Sequence, residues 1–204
     1  MKIIPNLNLV IFLVLWFHTL MLQLAFGAQY YTNTTYTGAS TANIGDHGSA
    51  TSAYFSSVSQ LFGDSMGNLY VTDGTSCTIR MVDSTTQIIT TIIGIAGQCN
   101  SSYIPVGGPI EAVNGIGGDS AGNLYFTQGM GSNPHVVLKY TATTKVTSVF
   151  AGKIGAHGSA TNNVAATSTQ LYLPSGVFCD TFHGLLYLSD TGKCTSHHTE
   201  TCFD

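Results

Sequence analysis

A short cluster of residues occurs three times in this chain. It reads GDSMGNLYVTD from Gly63 to Asp73, GGDSAGNLYFTQ from Gly117 to Gln128, and CDTFHGLLYLSD from Cys179 to Asp190. The equivalent aspartates Asp64, Asp119 and Asp180 lie 55 and 61 residues apart. A period of this size limits the fold more than any single residue does. It implies copies of one supersecondary unit stacked side by side, each burying its apolar face against the next.

Each unit has the same internal order. A Gly-rich loop comes first, IGDHGSATSA at Ile44 to Ala53 and IGAHGSATNN at Ile154 to Asn163. An apolar segment follows and runs to the aspartate, from Val58 to Phe62 in the first unit and from Leu171 to Phe178 in the third. At the Asp-x-x-Gly-Asn step the aspartate can bond back to a tight turn, and Gly or Asn can take positive φ. LYVTD, LYFTQ and LYLSD then alternate apolar and polar residues as a strand does. A third strand is predicted at Thr78 to Val82 and at His135 to Tyr140. Polar turns at Asp83 to Gln87 and Thr141 to Lys145 lead to a fourth, at Ile88 to Ile93 and Val146 to Phe150. Four short antiparallel strands per unit make the blade of a β-propeller. The predicted fold class is therefore all-β, with blades of four antiparallel strands in an incomplete ring and no helix after the first segment.

Composition agrees. Charged residues are 8% of the chain, against about 25% in an average domain, so hydroxyls and amides keep the surface polar. The six Lys and Arg form no basic stripe, which argues against nucleic acid as a partner. The formal charge of −4 is too small for strong steering of cations.

The D-x-x-G-N-L-Y-[VF]-[ST] step, the strand and T-T turn after it, and the G-[DA]-H-G-S-A-T linker resemble the NHL repeat family of β-propellers. The resemblance covers roughly residues 38–190, as repeats at about 38–97, 98–152 and 153–192. It implies a propeller whose loops serve protein or glycan recognition, as a binding or scaffold module. Gln128 stands where the family has Asp, and the family's Arg is present once, at Arg80, the second repeat having Val137-Leu138-Lys139-Tyr140 instead. After Asp190 the family's basic, apolar strand gives way to TGKCTSHHTETCFD, so residues 193–204 are expected to be an irregular tail. Two and a half blades would leave sheet edges and one flank open. A fragment of a longer propeller, closure by self-association, or a short open module would each account for that.

Residues 1–27 read as a secretory signal peptide. Lys2 precedes an apolar stretch from Leu7 to Phe26, and Ala25 and Gly27 are small residues before a cleavage point. An uncleaved membrane anchor over residues 7–26 is the alternative. Both place the remainder outside the cytosol, secreted or at the cell surface. There Asn33 and Asn100 are glycosylation acceptors. Of the five cysteines, Cys77 and Cys99 flank one predicted hairpin and are the first pair to consider for a disulfide.

The residues with chemical potential are few. Asp64, Asp119 and Asp180 can ligate calcium, but each belongs to the hairpin turn of a different blade, and the turn role accounts for them. Asp73, Gln128 and Asp190 end equivalent strands, where they can cap the strand or cluster near one face. His47 and His157 repeat in the linkers, where they can serve loop structure or line a channel rim and bind zinc or copper. Cys194, His197, His198, Glu200 and Cys202 supply soft and imidazole donors at close spacing. The metal candidates are thus His47, His157, Asp73 and Asp190. They support, as an alternative to a binding module, a metal-dependent lyase or lactone hydrolase with a central-channel site. No nucleophile elbow and no phosphate-cradling glycine loop is present, so neither catalytic residues nor a cofactor is expected.

Overall fold

A computed structural model describes Gly38 and residues 44–99, 108–129, 134–158 and 164–192, and the backbone of 193 and 195–200. Three antiparallel sheets follow one another along the chain. The first is β1 (Val58–Gly63), β2 (Leu69–Asp73), β3 (Thr78–Val82) and β4 (Ile89–Gly94), in that order across the sheet. The second repeats it with β5 (Val113–Gly118), β6 (Leu124–Gln128), β7 (Val136–Thr141) and β8 (Val146–Ala151). The third has β9 (Pro174–Asp180), β10 (Leu185–Asp190) and β11 (Thr195–Glu200), with β10 in the middle. The sheets meet along their first strands, β1 against β5 and β5 against β9. They fan outward from that line. Among the described residues the only helical pieces are three-residue 3-10 turns.

The expected irregular tail is corrected over Thr195–Glu200. Its backbone pairs with β10 from Leu185↔Glu200 to Asp190↔Thr195. The physical reason is that β10 offers a free row of N–H and C=O groups, which need partners whatever the next residues are. A Thr/Ser-containing segment suits a strand well enough to supply them.

Register explains the repeated motif. In the first blade Phe62 pairs with Tyr70 and Leu61 with Val71, and a bulge precedes Val58↔Asp73. The second blade shows the same bulge between Val113 and Ile116, and the third shows it beside Asp190. A bulge leaves one backbone amide without its ladder partner. The hydroxyl of the LYVTD-type strand supplies that partner. Thr72 Oγ1 accepts from Gln60 N at 2.8 Å, Thr127 Oγ1 from Gly115 N at 2.8 Å, and Ser189 Oγ from Gly176 N at 2.8 Å. The Thr-Thr-Ser series thus serves the bulge.

The core lies between blades. Successive side chains of a strand point to opposite faces, so the middle blade is buried on both. Leu124, Phe126 and Leu138 pack on Tyr70 and Ile79 of the first blade. Tyr125 and Val137 pack on Val177, Leu186 and Leu188 of the third. The linker closes the outer side of the first blade, where Ala50, Ala53 and Phe55 cover Val82 and Ile89. Beneath it Arg80 donates to Ile44 O at 2.6 Å, Tyr54 O at 3.0 Å and Asp46 Oδ1 at 2.7 Å. Cys77 and Cys99 are joined by a disulfide with Cα atoms 5.4 Å apart.

Candidate functional site

The three hairpin aspartates are local anchors of their turns. Asp64 Oδ1 accepts from Met66 N and Asn68 N, and its Oδ2 accepts from Asn68 Nδ2 and the Tyr70 hydroxyl. Asp119 repeats all four bonds with Ala121, Asn123 and Tyr125. Asp180 accepts from Phe182 N and His183 N and meets the His183 ring at 2.7 Å. Burial, then the Asp64 carboxylate, pushes the Tyr70 phenol up to about 12, so it stays a donor. Asp119→Asn removes the charged acceptor for Asn123 and Tyr125. It is expected to cost about 1–2 kcal/mol in a denaturant melt, and an unchanged midpoint would count against this role.

The three turns nevertheless come together. Phe62, Asp64 and Ser65, Asp119 and Ser120, and Phe178, Thr181 and Phe182 line one cleft of about 390 Å³. The sheets are angularly separated, but their inner hairpins meet where the first strands converge. The carboxylates bond into their own turns. What the cleft offers is aromatic rings beside hydroxyls, with Phe182 89% exposed. A second groove, of about 480 Å³, lies on the second blade alone along Lys139, Thr141 and Ser148.

At the opposite strand ends the structure places Asp73, Gln128 and Asp190 in equivalent buried positions. Each ties down the chain entering its own blade. Asp73 accepts from Ser56 N, Ser56 Oγ and Ser57 N. Asp190 accepts from Tyr172 N at 2.6 Å. Gln128 Nε2 donates to Glu111 O at 3.3 Å. Burial opposes the charge on Asp73, but the bonds from Ser56, Ser57 and Ser76 outweigh it and hold the carboxyl below its ordinary value. Its stabilisation is therefore present above the ordinary carboxylate range and is lost as pH falls through the depressed value.

The linker histidines fall in different settings. His47 is exposed with φ of 62°, and its backbone N–H donates to Ile89 O at 2.8 Å. The exposed His157 stacks on Tyr172 with ring centres 5.4 Å apart and lies 5.3 Å from His135. His135, which no sequence motif singled out, is buried, and its Nδ1 accepts from Leu173 N. Burial, then His157, lowers its basicity against the opposing pull of Asp190. Among the described residues no group of three or more His, Cys, Asp or Glu side chains is placed to hold a metal. Asn33, Asn100, Cys194 and Cys202 lie outside the described residues. At residues 195–200 only the backbone is described.

Sequence reasoning also missed Glu111. It is 7% exposed, and its Oε2 has no hydrogen-bond partner. Burial pushes its carboxyl up to about 7. A raised value means that the folded chain holds a proton the unfolded chain releases, so stability is full below the ordinary carboxylate range and falls as pH rises toward 7. Glu111→Gln is expected to flatten the melting temperature between pH 5 and pH 8. A slope equal to that of the unsubstituted chain would refute the assignment.

The fold has solved counterparts. The chain is similar to a protein of unknown function from Bacteroides thetaiotaomicron VPI-5482, at 15% identity and a TM-score of 0.54 over 65% of this chain and 32% of that one. An auxiliary nutrient binding protein from the same organism matches at 15% identity and a TM-score of 0.50, over 69% of this chain and 37% of that one. A chain of the nidogen/laminin complex matches at 18% identity and a TM-score of 0.46, over 69% and 42%. The chain thus spans about a third of the length of the first of these structures. No family model and no curated protein matches the sequence. The matching solved chains share the β-propeller fold. At such identity the likeness is one of fold: this is an all-β chain built of consecutive β-propeller blades.

Proposed function

We propose that the chain is an exported binding module of the NHL propeller type that recognises an uncharged polar ligand, a glycan or a protein loop, at the cleft between its hairpin turns. The carrying observation is the makeup of that cleft. Three blades contribute to it, Phe62, Phe178 and Phe182 present rings, and Ser65, Ser120 and Thr181 stand beside them. Aromatic faces take the apolar side of a sugar or peptide, and hydroxyls fix its orientation. Loops held by rigid sheets are where such contacts are usually made. The similarity to a chain named as an auxiliary nutrient binding protein is compatible with this reading.

The alternative, a metal-dependent lyase or lactone hydrolase, needs donors from several blades on one channel. Asp73 and Asp190 instead accept bonds from backbone amides of their own blades, and His157 packs on Tyr172.

The test is a panel of neutral oligosaccharides presented to the full exported chain, followed by titration calorimetry of any hit. Phe182→Ala is expected to weaken binding at least about tenfold, because it removes the most exposed ring at the site. Binding that is indifferent to Phe182→Ala would dismiss the cleft. Stoichiometric zinc uptake that changes activity or stability would favour the enzyme.

A further inference from the structure

Two histidines of the second blade stand where the first blade has its disulfide. Cys77 and His135 each come immediately before the third strand of their blade, as the pairs Asp73↔Thr78 and Gln128↔Val136 show. Cys99 and His157 end equivalent segments, GIAGQC at 94–99 and GKIGAH at 152–157. The backbones agree. Gly94 and Gly152 have φ of 88° and 92°, and Gly97 and Gly155 both have 74°. A Cβ on Gly94 would collide with the Cys77 carbonyl, and one on Gly152 with the His135 carbonyl. Blade one closes this loop with a covalent bond. Blade two closes it with two imidazoles whose centres are 5.3 Å apart.

The histidine pair also holds the linker that enters blade three. The Tyr172 ring completes a triangle with it, 5.3 Å from His135 and 5.4 Å from His157. His135 is 3% exposed, and its Nδ1 accepts from Leu173 N at 3.2 Å. Leu173 has φ of 57°, a left-handed conformation that a leucine adopts only at a cost. Two bonds hold it there, the one to His135 and one from Thr191 N to its carbonyl at 3.3 Å. The titratable groups that face His135 are His157 and Tyr172 from the linker and Asp190 from the end of β10. Among the described residues neither His157 nor Asp190 belongs to a group of three or more donors placed to hold a metal. Neutral His135 accepts at Nδ1 when its proton sits on Nε2. A second proton must go to Nδ1, which turns the acceptor into a donor aimed at the Leu173 N–H. The new charge is also buried, which disfavours it further.

We propose that His135 is an acid-sensitive latch: uptake of a proton breaks its bond to Leu173 and loosens linker residues 166–173 from blade two. Burial, then His157, disfavours the charged ring against the opposing pull of Asp190. The folded chain therefore resists a proton that the open linker accepts. The latch is full above the ordinary histidine value of about 6.5 and weakens as pH falls below it. The disulfide at the equivalent place in blade one does not titrate, so the first loop stays closed over the same range.

Amide hydrogen exchange of the full chain tests this, expressed as protection relative to an unstructured chain at the same pH. Protection across residues 171–173 is expected to fall at least about tenfold between pH 7.5 and pH 5, because opening takes up one proton with an ordinary value of about 6.5. The loop closed by Cys77 and Cys99 is expected to keep its protection. His135→Gln offers Leu173 an acceptor that does not titrate, and is expected to hold residues 171–173 closed down to pH 5. Unchanged protection in the unsubstituted chain, or equal acid sensitivity in His135→Gln, would overturn the latch. An equal loss at the loop of blade one would mean general unfolding and would overturn it too. Should the variant not fold, the ring resonances of the unsubstituted chain decide. His135 is expected to take up its proton over the range in which residues 171–173 lose protection, and a His135 that titrates while they stay protected refutes the proposal. The readout is local, so it is separate from the opposite pH slope expected from Glu111 and from whether the cleft binds a glycan.

Discussion

Arg80→Met is expected to destabilise the chain by about 3–5 kcal/mol, the usual cost of breaking a buried ion pair by removing one partner. For a chain of this size that corresponds to a melting temperature lower by on the order of 10 °C. The guanidinium is 3% exposed, and three of its bonds go to the linker: the Ile44 and Tyr54 carbonyls and the Asp46 carboxylate. Asp46 Oδ1 also receives Thr91 N at 3.0 Å, so one residue joins the linker to β3 and β4. The stacked Phe55 ring, 5.0 Å from the guanidinium carbon, loses its cation as well. The second blade uses Leu138 at the equivalent position, so the sheet itself accepts an apolar residue there. The double variant Arg80→Leu, Asp46→Ala should therefore recover part of the loss. A single-variant loss below about 1 kcal/mol, the range of an exposed pair, would refute the buried pair as the linker's anchor.

The second large effect is expected from the disulfide. Cys77 and Cys99 are 22 residues apart in sequence, and a cross-link closing a loop of that length contributes about 3 kcal/mol, mainly by restricting the unfolded chain. Cys99→Ser, or reduction of the unsubstituted protein, should lower the melting temperature by roughly 6–12 °C. Cys99 is the better position to replace, because Cys77 is 1% exposed in the core between blades one and two. The two perturbations should not add, since each removes the same bond. If reductant lowers the melting temperature of Cys99→Ser as much as that of the unsubstituted chain, the assignment fails.

The two experiments probe opposite faces of the first blade. Arg80 secures the linker on its outer side, and the disulfide ties the start of β3 to the segment just after β4. Their effects should be close to additive, because the two sites share no partner.

The repeat was sufficient for strand order and for most strand limits. The alternation in LYVTD, the Asp-x-x-Gly-Asn turn and the T-T turn are local patterns, and the backbone obeys them at Leu69–Asp73, at the Asp64 and Asp119 turns and at the starts of β4 and β8. The cysteine pair was legible because its members flank one hairpin. Features that depend on residues distant in sequence were not. Glu111 reads as an ordinary polar residue, and only the packing of two blades shows it to be buried and short of a partner. Asp46 and Arg80 are 34 residues apart, so their pairing follows from how the linker lies on the sheet. Convergence of the three hairpin turns on one cleft is likewise set by the contact of β1, β5 and β9. The strand at Thr195–Glu200 follows from the open edge of β10 more than from its own residues. The sequence alone determined the blade, because a blade is made of short-range turns and alternation. The tertiary structure decided which faces are covered and which turns meet, because burial is a property of neighbours in space.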